Sequence, residues 1–243
     1  MHKQWDIDSL TADIIKRIKE RTLADKNGKL PSERKLMDYY NVSRYSLRQA
    51  LSKLSKLGYI YQIQGRGSYI HEHRYQANLM TQSDLGFTED LAREGKRIQT
   101  VGATQRIVSL SEIDFYPSNQ QFSDDQLFIE VERFRTLEDK PYLVEHSYYL
   151  PEIVGEISEA AMYGSMFDYL SKEKGLTVGF IDKFIRCELL TESYAKFFQL
   201  ATDMPSLTVR DDSYLREGEL VAFSKIYYDY RNATLFMHKK LLD

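Results

Sequence analysis

The chain holds 243 residues, 42% of them apolar and 13% aromatic, enough to fill two modest cores. No apolar run approaches the roughly 18 residues of a membrane span, and the opening MHKQWDIDSL lacks the charged-then-apolar order of a secretory leader, so a cytoplasmic chain with no membrane partner is expected. The net charge of −3 conceals a split: residues 1–75 hold 15 Lys and Arg against 8 Asp and Glu, a balance of +7, and residues 76–243 hold 18 against 28, a balance of −10.

In chain order, Ile7, Leu10, Ile14, Ile15 and Ile18 recur at helical spacing and predict an amphipathic helix over Asp8 to Leu23. The turn-rich ADKNGKL ends it. Leu30-Pro31-Ser32 opens a second helix, Glu33 to Tyr40, with Ser32 as its N-cap and Leu36, Met37 and Tyr40 facing inward. Asn41-Val42 makes a tight turn. Ser43 caps a third helix whose Leu47, Ala50, Leu51, Leu54 and Leu57 form one stripe, and Gly58 sits where a C′ glycine would stop it.

Three short helices with a brief break before the third describe a helix-turn-helix. Arg44 and Arg48 lie one turn apart beside the leucine stripe, with Tyr45, Gln49, Ser52 and Lys56 across from it. Donors of this length near a helix start reach base edges in a major groove, and arginine matches guanine O6 and N7 bidentately. Tyr59–Ile63 and Ser68–Ile70 then pair as a hairpin whose tip, Gln64-Gly65-Arg66-Gly67, holds Arg66 out toward phosphate or a minor groove. A winged helix on the basic quarter of the chain points to DNA.

Residues 30–70, LPSERKLMDYYNVSRYSLRQALSKLSKLGYIYQIQGRGSYI, closely resemble the signature of the GntR family of bacterial transcription regulators. The resemblance implies DNA contact by Arg34 at the start of the second helix, by Ser43, Arg44, Tyr45, Ser46 and Arg48 at the third, and by Gly65, Arg66 and Gly67 in the wing. Ser46-Leu47 departs from the family's common Thr-Val, which keeps the hydroxyl and gives up a threonine methyl.

His71-Glu72-His73-Arg74-Tyr75-Gln76 reads as a polar linker, since two histidines with no third ligand nearby do not make a metal site. The expected division is therefore a winged-helix domain over 1–73, a linker over 74–83 and a second domain over 84–243, with no metal or cofactor. Beyond the linker, VGATQRIVSL, LFIEVERFRTL, PYLVEHSYYLP, FIDKFIRCELL, SLTVRDDSYL and LVAFSKIYYDYR read as strands. Helices are expected near 84–95, 152–161, 165–173 and 191–200. Glu138-Asp139-Lys140 and Arg216-Glu217-Gly218-Glu219 read as hairpin turns. An antiparallel sheet with helices against it, an α+β fold, follows. Cys187, the one cysteine, excludes a disulfide framework and reads as a buried strand residue.

In LFIEVERFR, alternation places Leu127, Ile129, Val131, Arg133 and Arg135 on one face and Phe128, Glu130, Glu132 and Phe134 on the other. Two guanidinium groups beside an apolar row call for solvent at a strand end, a protein carboxylate or an anionic ligand, and phosphate suits them well. Residues 80–240 are also similar to the effector domain of the HutC subgroup of GntR regulators, the UTRA or chorismate-lyase-like fold. LGFTEDLAREGK, VERFRTLEDKPYLVEHSYYLP, GSMFDYL and LVAFSKIYYDYR carry that similarity. It implies phosphate binding by Arg133 and Arg135 with Phe87, Thr88 and Ser165 similarly placed, sugar hydroxyls at Glu145, and Tyr228 in a pocket-lining strand. Phe167 and Ala222 depart from the amino-sugar sensors and leave the sugar open.

The expected function is a homodimeric, ligand-responsive transcription regulator, a repressor of a carbohydrate operon that binds operator DNA and a phosphorylated sugar. Three rivals are a regulator answering a non-sugar molecule, an architectural DNA-binding protein, and an enzyme using Glu145, His146 and tyrosines as acid and base. No nucleophile motif or cofactor loop supports the enzyme.

Overall fold

Asp6 starts the first helix by accepting the backbone N–H of Ser9, whose hydroxyl reaches back to the Asp6 N–H, a reciprocal cap. In a computed structural model, which describes residues 5–71, 79–80, 91, 96–117 and 119–236, this helix, α1, runs Ile7–Lys19. It stops short of Leu23 because Arg21 takes a left-handed φ of 54° and the Thr22 N–H turns back to the Arg17 carbonyl. The other two helices, α2 (Glu33–Tyr40) and α3 (Arg44–Lys56), start on the Ser32 and Ser43 hydroxyls as expected. Gly58, at φ 70°, follows the end of α3.

Leu10, Ile14 and Ile18 of α1, Leu36 and Tyr40 of α2, and Leu47, Leu51 and Leu54 of α3 share one buried core. The wing strands β1 (Ile60–Ile63) and β2 (Gly67–Ile70) pair antiparallel. Gly65 and Gly67, at φ 73° and 105°, make the turn between them. Leu79–Met80, inside the expected linker, forms a two-residue strand β3 parallel to Leu235–Phe236 near the other end of the chain. The chain divides into two compact units, with boundaries at 84/85 and 233/234.

The second unit is built on six antiparallel strands: β4 (Ile98–Ser109), β5 (Leu127–Leu137), β6 (Lys140–Tyr149), β7 (Val178–Leu189), β8 (Pro205–Leu215) and β9 (Leu220–Asp229). Their order is β4-β5-β6-β9-β8-β7. Glu138 and Asp139, both at positive φ, close the β5–β6 hairpin, and Gly218 at φ 94° closes β8–β9. Helices α4 (Pro151–Val154), α5 (Glu159–Tyr163) and α6 (Met166–Lys172) cover one face by packing on Ile129, Val131, Tyr149 and Ala222. The opposite face holds Phe128, Tyr148 and Phe223 beneath Phe115, and Val144 and Tyr227 beneath α7 (Glu192–Phe198).

The helix expected over 152–161 is two pieces, because Gly155 at φ 62° breaks it. The last helix ends at Phe198, where Gln199 turns left-handed. The segment expected to be helical near 84–95 lies outside the described residues except Leu91. Cys187 corrects the expectation of burial: it is exposed, because β7 is an edge strand with solvent reaching both faces.

Candidate DNA-contact surface and ligand site

The Ser43 hydroxyl accepts the Ser46 N–H at 3.1 Å and meets the Ser46 hydroxyl at 2.9 Å, fixing the start of α3. Because Leu47, Ala50, Leu51 and Leu54 are buried, Arg44, Tyr45, Arg48, Gln49 and Ser52 are turned outward. Tyr45 is 71% exposed. Arg34 on α2 and Gly65, Arg66 and Gly67 in the wing are also exposed. A cleft of about 1120 Å³ lies between the wing and the start of α2, with Lys29, Ser32, Lys35 and Arg66 in its walls. The first unit therefore presents long donors on a helix start, basic groups around a cleft and a basic hairpin tip, the pattern of a groove reader. One feature was not visible in the sequence: the Arg48 Nε donates to Glu33 Oε2 at 3.2 Å.

In the second unit, Arg133 and Arg135 are each 3% exposed, which removes the solvated strand end from the three alternatives. The antiparallel register sets Glu145 of β6 directly across from Arg133. Arg133 Nη2 donates to Glu145 Oε2 at 2.5 Å, and Arg135 Nη1 lies 3.9 Å from the same oxygen. Arg133 Nη1 donates to the carbonyls of Met162 and Gly164, in the turn that leads into Ser165. Ser165 caps α6 by accepting the Asp168 N–H, so its hydroxyl stands one residue past an arginine-bound carbonyl.

A polar chain continues across the same face. Ser147 donates to Glu145 Oε1 at 3.3 Å, and Ser224 of β9 donates to Ser147 at 2.8 Å. Asp211 of β8 pairs in register with Ser224, and Lys183 of β7 donates to Asp211 Oδ2 at 2.5 Å. Tyr228, in register with Leu143 across from Arg135, is buried on this face. The sheet thus brings together Arg133, Arg135, Glu145 and Tyr228 from three strands. Phe87 and Thr88 lie outside the described residues. Phe167 and Ala222 belong to the apolar cluster under α4–α6. Sequence reasoning missed Ser147, Ser224, Asp211 and Lys183. Alternation with Glu145 and Ile226 could have signalled Ser147 and Ser224, whereas Asp211 and Lys183 join them only through the β9–β8–β7 pairing.

Burial and the neighbouring Arg133 push the Arg135 guanidinium down to about 10, against the pull of Glu145. Burial alone would raise the Glu145 carboxyl, yet the two arginines and its hydrogen bonds hold it below the usual carboxylate range. Burial pushes the Tyr228 hydroxyl well up. On this floor Arg133, Arg135 and Lys183 stand around Glu145 and Asp211, and forked cationic donors at a buried site suit the oxygens of an anion.

Glu145 and His146 do not converge. Alternation sends His146 to the other face, where its Nε2 sits 2.8 Å from Glu130, itself paired with Arg106. The acid–base arrangement required by the enzyme reading is absent from this pair. No group of three or more His, Cys, Asp or Glu suited to a metal occurs among the described residues, and no helix among them is long and apolar enough to cross a membrane.

A winged helix with an exposed set of long donors points to a DNA-binding transcription regulator, and comparison with known proteins agrees. Residues 7–70 match the bacterial regulatory proteins, gntR family, and residues 118–232 match the UTRA domain. Over 227 residues the chain is 26% identical to the uncharacterized HTH-type transcriptional regulator YydK of Bacillus subtilis, covering 92% of this chain and 93% of the relative. It is 24% identical to the HTH-type transcriptional repressor NagR of the same organism, over 82% of this chain and 80% of the relative. The mannosyl-D-glycerate transport/metabolism system repressor MngR of Escherichia coli is 22% identical over 81% of this chain and 80% of its own length. The YydK crystal structure superposes with a TM-score of 0.75 at 23% identity, covering 98% of this chain and 100% of that one. The chain belongs to the GntR-family regulators that carry a UTRA domain, and it is a transcription regulator, not an enzyme.

Proposed function

We propose that this regulator is a homodimeric repressor that holds operator DNA with its winged helix and releases it when a phosphorylated sugar binds on the buried polar floor of the second unit. The observation that carries the reading is the pair Arg133 and Arg135, both buried, sharing one carboxylate oxygen of Glu145. Two buried forked donors side by side in one row suit the oxygens of a phosphate. The names of MngR and of the probable fructoselysine utilization operon repressor of Escherichia coli support sugar metabolism as the setting. A coupling of about 1–3 kcal/mol between effector and operator changes occupancy roughly 5- to 150-fold.

The test is thermal unfolding of the full chain against matched phosphorylated and unphosphorylated sugars, with DNA selected by the protein from a random pool as the release assay. A true effector at 100 times its Kd should stabilise by about 2.7 kcal/mol and free the DNA. Equal stabilisation by the unphosphorylated partners overturns the phosphate assignment.

Within the DNA surface, Glu33 restrains Arg48 through the 3.2 Å contact. Glu33→Gln keeps the shape and removes a negative charge that faces phosphate. Binding to a scrambled duplex should therefore tighten more than binding to the selected site, lowering the ratio of the two. Competition assays at fixed salt measure that ratio, and an unchanged ratio removes Glu33 from sequence discrimination.

A further inference from the structure

The polar floor has a second end. Lys183, Asp211, Ser224 and Ser147 form one cross-strand row, and Ile226, Glu145 and Arg133 form the next. Glu145 is engaged at both oxygens, by Arg133 and by Ser147. Asp211 is not. The residue is 7% exposed, its Oδ2 takes the Lys183 ammonium, and its Oδ1 is buried with no hydrogen-bond partner. A carboxylate oxygen withdrawn from water and left without a donor is costly, and proteins seldom keep one except where something else supplies the donor.

Its position suggests the donor. The Arg133 guanidinium leans onto Glu145 of β6, and Asp211 stands on β8 beyond β9, two strand spacings away, or about 10 Å. That is the reach of a phosphorylated six-carbon sugar from its phosphate to its far hydroxyls.

We propose that Asp211 is a specificity-determining residue, whose Oδ1 accepts an O–H or N–H from the end of the effector remote from its phosphate. The ligand class is then a phosphorylated hexose or amino-hexose, not a bare phosphate or a short phosphorylated acid. This rests on the reading of Arg133 and Arg135 as the anion end. Lys183 neutralises Oδ2 and leaves Oδ1 for the ligand.

Calorimetric titration of the full chain with inorganic phosphate, glycerol 3-phosphate, glucose 6-phosphate and glucosamine 6-phosphate tests it. At least one hexose phosphate should bind the wild-type chain about tenfold or more tighter than inorganic phosphate. Asp211→Asn, which keeps the volume, should erase that advantage and leave inorganic phosphate within about twofold. Monodeoxy analogues of the tighter hexose phosphate should include one that loses about tenfold on the wild-type chain and nothing on Asp211→Asn, a result that loss of folding cannot imitate. A variant that keeps the full hexose-phosphate preference overturns the role of Asp211 and leaves the anion end standing. So does a wild-type chain that binds no hexose phosphate better than inorganic phosphate. Failure of the underlying reading looks different: inorganic phosphate then binds Arg133→Met as well as it binds the wild-type chain.

Discussion

Replacing Arg133 by alanine is expected to cost about 3–5 kcal/mol of stability and to abolish the response to effector, with operator binding by the winged helix intact. The stability loss comes from what remains. Glu145 is 13% exposed and has Arg133 as its close partner, with Arg135 more distant at 3.9 Å, so the variant strands most of a buried charge. The carbonyls of Met162 and Gly164 also lose their donor. Unfolding followed by a probe in the second unit should show the loss, and DNA retention in the presence of ligand should show the missing release. Wild-type release at wild-type ligand concentration would remove Arg133 from the anion site.

The pH dependence gives this variant a distinct signature. In the parent chain Glu145 is held below the usual carboxylate range, so the folded state prefers it ionised. Its contribution is complete above the unfolded value of about 4.3 and fades as pH falls through the lower folded value. Without Arg133, burial becomes the stronger influence and the preference turns toward the protonated acid. Arg133→Ala should then recover part of its deficit on acidification below neutral pH, where the parent does not gain. The double variant Arg133→Met with Glu145→Gln removes both charges and should restore most of the stability but none of the ligand response. That contrast separates the structural ion pair from its use as a binding group.

How much of this was legible in the sequence depends on the kind of interaction. The winged helix was readable almost to the residue because its determinants are local: Ser32 and Ser43 as caps, Gly58 as a stop, a leucine stripe at helical spacing and glycines at the wing tip. Its largest boundary error, the end of α1, came from a left-handed Arg21 that no propensity favours. In the second unit, alternation identified the face carrying Arg133 and Arg135 but not its burial, which depends on helices α4–α6 landing there. Glu145 as their partner needed the β5–β6 register, and Asp211 needed two further strand pairings. Strand order β6-β9-β8-β7 is nonlocal information, and one sequence does not state it. Cys187 failed for the same reason: its apolar neighbours look like a central strand, and only topology makes β7 an edge.

Arg48→Ala is expected to cost about 1–3 kcal/mol on the preferred operator, concentrated at one base pair. The side chain leaves α3 one turn from its start, is 65% exposed, and is already tethered to Glu33, so part of the cost of ordering it is met before DNA arrives. A base contact removed in this way relaxes preference at a single position and leaves the salt dependence nearly unchanged. Arg66 makes the complementary case. It sits at a wing tip between Gly65 and Gly67, where the backbone is held by the Arg66 N–H to Ile63 carbonyl bond while the side chain is exposed. Arg66→Ala should weaken binding to all sequences by a similar factor and reduce the slope of log affinity against log salt by about 0.9 for each phosphate that the arginine neutralises. Binding measured over a library of single-base operator variants at two salt concentrations distinguishes the patterns. A uniform loss for Arg48→Ala would reassign it to the phosphate backbone, and a single-base loss for Arg66→Ala would place the wing tip inside a groove.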